Sequence, residues 1–151
     1  MAKPTRSEFE AVLDKVKESP LHGKELRQFA MGLLDGFSTY DWSGIYALQG
    51  DMLHLDAFCG APTDHTEIPV GRGVCGTAVA ENANQVIDDV RSLDNYLSCS
   101  AFTRSEIVVL IHGQGGILGQ IDIDGHQIGA FDDDDEQFLK ELAAQLAGRW
   151  D

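Results

Sequence analysis

The run Ser105-Glu-Ile-Val-Val-Leu-Ile-His112, the turn Gly113-Gln-Gly-Gly116 and the run Ile117-Leu-Gly-Gln-Ile-Asp-Ile-Asp124 decide how this chain folds. Two apolar, β-branched runs on either side of a glycine-dense turn predict a β-hairpin. In the second run Asp122 and Asp124 are two positions apart and share one face of the strand, while Ile121 and Ile123 take the other. With His112 facing Ile117, Glu106 falls opposite Ile123, and a slip of one residue sets it beside either aspartate. Three acids in one patch of a partly apolar sheet cannot all ionise cheaply, so at least one carboxyl should titrate high and donate a proton at neutral pH. The same pattern also fits a sheet end open to water, or oxygen ligands for calcium or magnesium.

Upstream lies Ile68-Pro-Val-Gly-Arg-Gly-Val-Cys-Gly-Thr-Ala78, a glycine-rich turn followed by a short helix predicted to start at Gly76 and to carry Thr77 to Glu81. Cys75 then sits at the join, where free backbone N–H groups and Arg72 favour a thiolate. Simple packing against the helix is the plainer alternative. A short strand is expected over Gln85 to Asp88, then a long polar connection from Asp89 to Arg104 that contains Tyr96 and Cys99. Connections of that length are uncommon in a compact domain unless they serve a function. Cys75 and Cys99 are 24 positions apart, a separation that a disulfide can close. Cys59, at a strand end beside Gly60, reads as structural.

Towards the amino terminus, Ser7-Glu8-Phe9-Glu10 has capping-box chemistry, and Phe9, Val12, Leu13 and Val16 recur at helical spacing up to Pro20. Leu26, Phe29, Ala30, Leu33 and Phe37 predict a second helix over 24–37. Trp42 to Leu48 and Met52 to Phe58 predict a hairpin about Gln49-Gly50-Asp51, with Leu53, Leu55 and Ala57 on its buried face. Trp42 and Tyr46 fit core aromatics more readily than pocket walls. At the other end Phe138, Leu139, Leu142, Ala143 and Leu146 mark a helix over 132–147, and the acids Asp132 to Glu136 read as its solvated start. Helices at both ends of antiparallel hairpins predict an α+β fold: one sheet with the terminal helices on one face and a pocket with loops on the other. The expected organisation is one domain over 1–151, with 1–22 as a helical extension.

The 151 residues, 43% hydrophobic and 24% charged, suit one globular domain, and no apolar run approaches the ~20 residues of a membrane span. A formal charge of −14 opposes nucleic acid and anionic membrane as partners. No apolar segment follows Met-Ala-Lys-Pro-Thr-Arg-Ser at the amino terminus, so a cytoplasmic location is expected. Three cysteines without a Cys-x-x-Cys pair argue against a disulfide scaffold and a structural zinc site. No metal is expected, and the thiols are either buried fillers or redox groups.

Trp42-Ser-Gly-Ile-Tyr46, Ile68 to Ala78, Arg104-Ser-Glu-Ile-Val-Val109 and Gly119-Gln-Ile-Asp-Ile-Asp124 together resemble the free methionine-R-sulfoxide reductases, small single-domain GAF proteins. The resemblance runs from about Lys24 to Leu146. It implies Cys99 as nucleophile, Cys75 as a second redox thiol, and Glu106, Asp122 and Asp124 as acids around the sulfoxide and the substrate amino group. Trp42 and Tyr46 would form the aromatic pocket for the methyl-sulfur end. It further implies no bound cofactor, recycling by thioredoxin or a similar dithiol, and a homodimer. The family pattern has another cysteine ten residues before Cys75, where this chain has His65, and Cys59 lies six residues too early to match it. The resolving thiol is thus open between Cys75 and Cys59. Two other readings compete: a GAF domain that binds a small metabolite without catalysis, and a thiol redox sensor.

Overall fold

We describe the fold from a computed structural model, whose described residues are 2–94, 96 and 101–151. The elements follow in the order α1 (Arg6–Glu18), α2 (Gly23–Leu34), β1 (Trp42–Gln49), β2 (Met52–Cys59), β3 (Glu67–Pro69), α3 (Gly73–Glu81), β4 (Gln85–Ile87), β5 (Ser105–Gly113), β6 (Gly116–Gly125) and α4 (Asp133–Gly148), with a 3-10 turn at Val90–Ser92 after β4. The strands form one antiparallel sheet in the order β3-β2-β1-β6-β5-β4. The α+β expectation holds.

Local chemistry accounts for the helix boundaries. Thr5, not Ser7, caps α1: its side chain accepts from the Glu8 N–H while Glu8 accepts from the Thr5 N–H, so the capping box begins two residues earlier than expected. The second helix ends at Leu34 rather than Phe37. Asp132 caps α4, and its partner in the box is Asp135.

Alternation along the central strands splits the interior into two layers. Ile45, Ile107, Val109, Ile111, Ile121 and Ile123 face α1, α2 and α4, where they pack with Phe9, Leu26, Met31, Phe138 and Leu142. Trp42, Tyr46, Leu53, Ile68, Val108 and Leu110 face the opposite way, against Val74, Cys75 and Ala78 of α3. Each large aliphatic side chain buried in this way contributes roughly 1.5–3 kcal/mol.

Two bulges correct the expected registers. Asp56 is an extra residue in β2, since Ile45 pairs with Ala57 but Tyr46 pairs with Leu55. Ala57 therefore turns to the helix-covered face while Leu53 and Leu55 stay on the other, and they do not line one face together. Asp56 itself is held by Arg27 of α2, Nε to Oδ2 at 2.6 Å. In the β5–β6 hairpin His112 pairs with Ile117 as expected, but Leu118 is extra, so Ile111 pairs with Gly119. That single residue sets Glu106 opposite Asp124 and Val108 opposite Asp122.

Candidate active site

On the sheet face beneath α3, three cross-strand rows lie side by side. Trp42, Asp124 and Glu106 form the first, Gly44, Asp122 and Val108 the second, and Tyr46, Gln120 and Leu110 the third. Glu106, Asp122 and Asp124 are all buried, at 3%, 0% and 1% exposure. The open sheet end that the pattern also allowed is therefore excluded. Among the three, burial pushes the Asp122 carboxyl above its ordinary value, while Glu106 and Cys75 bear on it the other way.

Helix α3 delivers the thiol. It starts at Gly73, three residues earlier than expected, so Cys75 lies inside the first turn and not before it. The helix can approach the preceding turn because position 76 lacks a side chain; a Cβ there would stand 2.5 Å from the Pro69 carbonyl oxygen. Gln120 Nε2 donates to the Cys75 carbonyl at 3.0 Å and ties α3 to the sheet. The Cys75 thiol points to Glu106, Sγ to Oε2 at 3.9 Å. Arg72 was expected to make this a positive environment, yet its side chain is exposed and the groups nearest Cys75 include two acids.

Cys75, Glu106 and Asp122 line one cavity with His65, Ile68, Arg72, Gly73 and Val74. Its volume is ≈ 10 Å³, room for about one water. One donor atom from each of Cys75, Glu106 and Asp122 lies within 4.8 Å of the others, a set that can hold a metal ion as well as exchange protons.

Trp42 and Tyr46 lie on the same sheet face beside this cavity, both buried. The Trp42 indole folds over Gly44, where any Cβ would overlap it, and stacks on Phe58 at 5.9 Å. Trp42 Nε1 donates to the Ala61 carbonyl at 3.0 Å, and the Tyr46 hydroxyl donates to the His65 carbonyl at 2.8 Å. Both aromatics thereby anchor the loop that follows β2. Cys59 pairs with Ser43 and packs against the helix-covered layer, on the face opposite Cys75. Cys99 lies outside the described residues.

Sequence reasoning passed over Gln120, although its position two before Asp122 on one strand already places it on the acidic face. The role of the residue-65 backbone as acceptor for Tyr46 had no local signal, because it depends on how the loop folds back across β1.

The family model described as "GAF domain" matches residues 24–148. The free methionine-R-sulfoxide reductase of Escherichia coli is 45% identical over 114 residues, covering 76% of this chain and 68% of the relative. The chain is a GAF-domain protein of the free methionine-R-sulfoxide reductase family. Solved structures agree. The Neisseria meningitidis free methionine-R-sulfoxide reductase, determined in complex with its substrate, superposes with a TM-score of 0.87 at 31% identity, covering 96% of this chain and 87% of that one. The type II free methionine-R-sulfoxide reductase of Thermoplasma acidophilum gives a TM-score of 0.78 at 36% identity, covering 95% and 94%. As a member of this family the chain is an oxidoreductase. No helix among the described residues is long and apolar enough to cross a membrane.

Proposed function

We propose that this GAF domain reduces free L-methionine-R-sulfoxide to methionine by thiol chemistry. The observation that carries the reading is the buried Cys75–Glu106–Asp122 cluster, a thiol among carboxyl groups, in a chain 45% identical to a free methionine-R-sulfoxide reductase.

In this mechanism the Cys99 thiolate attacks the sulfoxide sulfur to form a transient sulfur–sulfur bond while Glu106 donates a proton to the sulfoxide oxygen. The resulting hydroxyl moves to the Cys99 sulfur as the sulfur–sulfur and sulfur–oxygen bonds of the substrate sulfur break. Methionine leaves and Cys99 holds the oxygen as a sulfenic acid. The Cys75 thiol then condenses with it, releasing water and forming a Cys75–Cys99 disulfide. Thioredoxin or another dithiol returns both thiols at the cost of its own oxidation. Asp122 and Asp124 hold the substrate ammonium, while Trp42 and Tyr46 enclose its methyl-sulfur end. A cavity of ≈ 10 Å³ cannot hold the amino acid, so binding requires the walls to part. No cofactor beyond the external dithiol takes part.

The same reading makes residues 1–151 one functional domain with 1–22 as its helical extension, and makes the working unit a homodimer in the cytoplasm. The test is reductant consumption with free L-methionine-R-sulfoxide, with dithiothreitol and with a thioredoxin system, in the wild type and in Cys99→Ser. Turnover in the wild type that disappears in the variant is expected with both reductants. No turnover with either overturns the reading and leaves a ligand-binding GAF domain.

A further inference from the structure

We propose that the pocket of Cys75, Glu106 and Asp122 is also a binding site for a thiophilic divalent cation of the zinc type, which competes there with the sulfoxide. The competition rests on the reductase reading above; the cation site does not. Three observations carry it.

The first is the donor set. A sulfur and two carboxylate oxygens from three different elements converge to within 4.8 Å of one another, and their residues are 5%, 3% and 0% exposed. Sulfur with oxygen suits a zinc-type ion, whereas calcium and magnesium take all-oxygen shells of six or more ligands, usually including water. The second is size. The ≈ 10 Å³ cavity is too small for an amino acid and also for a cation with its hydration shell, but it accepts a bare ion bound directly by side chains.

The third is the state of Asp122. Neither of its oxygens has a hydrogen bond of ordinary geometry, and the groups that bear on it are Cys75 and Glu106 themselves. A fully buried carboxylate so placed is costly, and a bound cation would offset that cost. His65 lines the same cavity, but its ring is not among the donor groups that converge there. Arg72 also lines it and opposes a cation, but its side chain is exposed and screened by solvent. The chain's charge of −14 draws cations towards the surface as a whole. Binding displaces to solvent the Cys75 thiol proton and any proton that Glu106 or Asp122 holds, and changes no oxidation state.

The reduced full-length protein is titrated with Zn²⁺ in competition with a chromophoric chelator, and separately with Co²⁺ while the thiolate-to-metal absorption is followed. Expected are one ion per chain, a cobalt–thiolate band that Cys75→Ser abolishes, and zinc affinity lowered at least roughly 10–100-fold in both Cys75→Ser and Asp122→Asn. Cys59→Ser should bind as the wild type does. Affinity that survives both pocket variants, or a band that disappears in Cys59→Ser instead, overturns the site. Sulfoxide turnover should fall at the zinc concentration that fills the site and recover with chelator. Turnover that persists with the site filled overturns the competition. A site that behaves as described in a protein that never turns over sulfoxide refutes the reductase reading alone.

Discussion

Two aspartates are buried to the same degree in this protein and live in opposite company. Asp135, at the start of α4, is 1% exposed, and Asp122, in the middle of β6, is 0% exposed. Burial raises the carboxyl pKa of both. Asp135 nevertheless accepts from the Tyr40 hydroxyl at 2.7 Å and from the Asp132 N–H at 2.9 Å, so each oxygen has a donor that keeps its proton in every state of the protein. Asp122 faces a thiol and another acid, groups that can themselves give up protons. Burial alone does not separate a structural acid from one placed for chemistry. The donors around it do.

Exchanging Asp122 for Asn should break this contrast most sharply. If Asp122 holds the substrate ammonium, Asp122→Asn removes a buried charge partner worth about 2–5 kcal/mol, so kcat/KM for the sulfoxide falls by roughly 10²-fold or more. The melting temperature should rise or stay level, because the variant no longer carries a carboxyl that resists ionisation in the sheet. Steady-state kinetics with a thermal melt on the same sample measures both. Unchanged kcat/KM would place Asp122 with Asp135, as scaffold.

Tyr40→Phe probes the other half. It leaves a buried Asp135 oxygen without its donor, at a cost of about 1–3 kcal/mol. Denaturant unfolding should register that loss while sulfoxide turnover stays within about twofold, since Tyr40 packs in the helix-covered layer away from Cys75. A variant that keeps its stability and loses turnover would join the two regions that the sheet divides.

How much of this could be read in advance differs between the regions for physical reasons. Alternation placed Asp122 and Asp124 on one face and Ile121 and Ile123 on the other, because strand period is a property of the backbone. The pairing of Glu106 with Asp124 depended on a bulge at Leu118, and nothing in Ile117-Leu-Gly119 announces an extra residue. The bulge at Asp56 was hidden in the same way by a clean alternation, and only the Arg27 guanidinium from α2 shows why the chain departs from it. Asp132 to Glu136 read as a solvated helix start. Asp135 departs from that reading because Tyr40, 95 residues away, reaches it through the core. The motif around Cys75 marks it as a candidate site residue, but the acids beside it come from strands that the motif does not include.

The pH dependence of stability gives a smaller and more specific test. A carboxyl whose folded pKa is raised stabilises the protein fully below its unfolded pKa, and that contribution is lost as pH rises through the folded value. Asp122 and Asp135 share this sign. Asp132 has the reverse sign: its pKa is lowered, with Lys3 as a partner that favours its charged form, so its contribution is present above the ordinary value of 3.8 and lost as pH falls. The three overlap in any single profile. The difference between the wild type and Asp122→Asn isolates one of them: above about pH 3.8 the variant should gain on the wild type as pH rises, in melts taken at intervals up to neutrality. A constant difference would mean that Asp122 releases its proton in the folded protein over the same pH range as in the unfolded chain.

The least effect is expected at Cys59, and it tests the division of the sheet most directly. Cys59 and Cys75 occupy opposite faces, Cys59 beside Ser43 in the helix-covered layer and Cys75 against Glu106 under α3. Two thiols close to a disulfide only when their Cα atoms come within about 4.4–6.8 Å with their Cβ atoms directed at each other. In the proposed mechanism Cys75 resolves the sulfenic acid from the acidic face, which Cys59 does not share. Its pKa is also raised, by burial first and then by the neighbouring Asp35, which lowers the thiolate available for attack. Cys59→Ser should therefore turn over sulfoxide within about twofold of the wild type with dithiothreitol and with thioredoxin alike, and its stability should change by less than about 1 kcal/mol. Loss of the thioredoxin-supported rate alone would show that electrons pass through Cys59, and the sheet would then have to open between its two faces during each cycle.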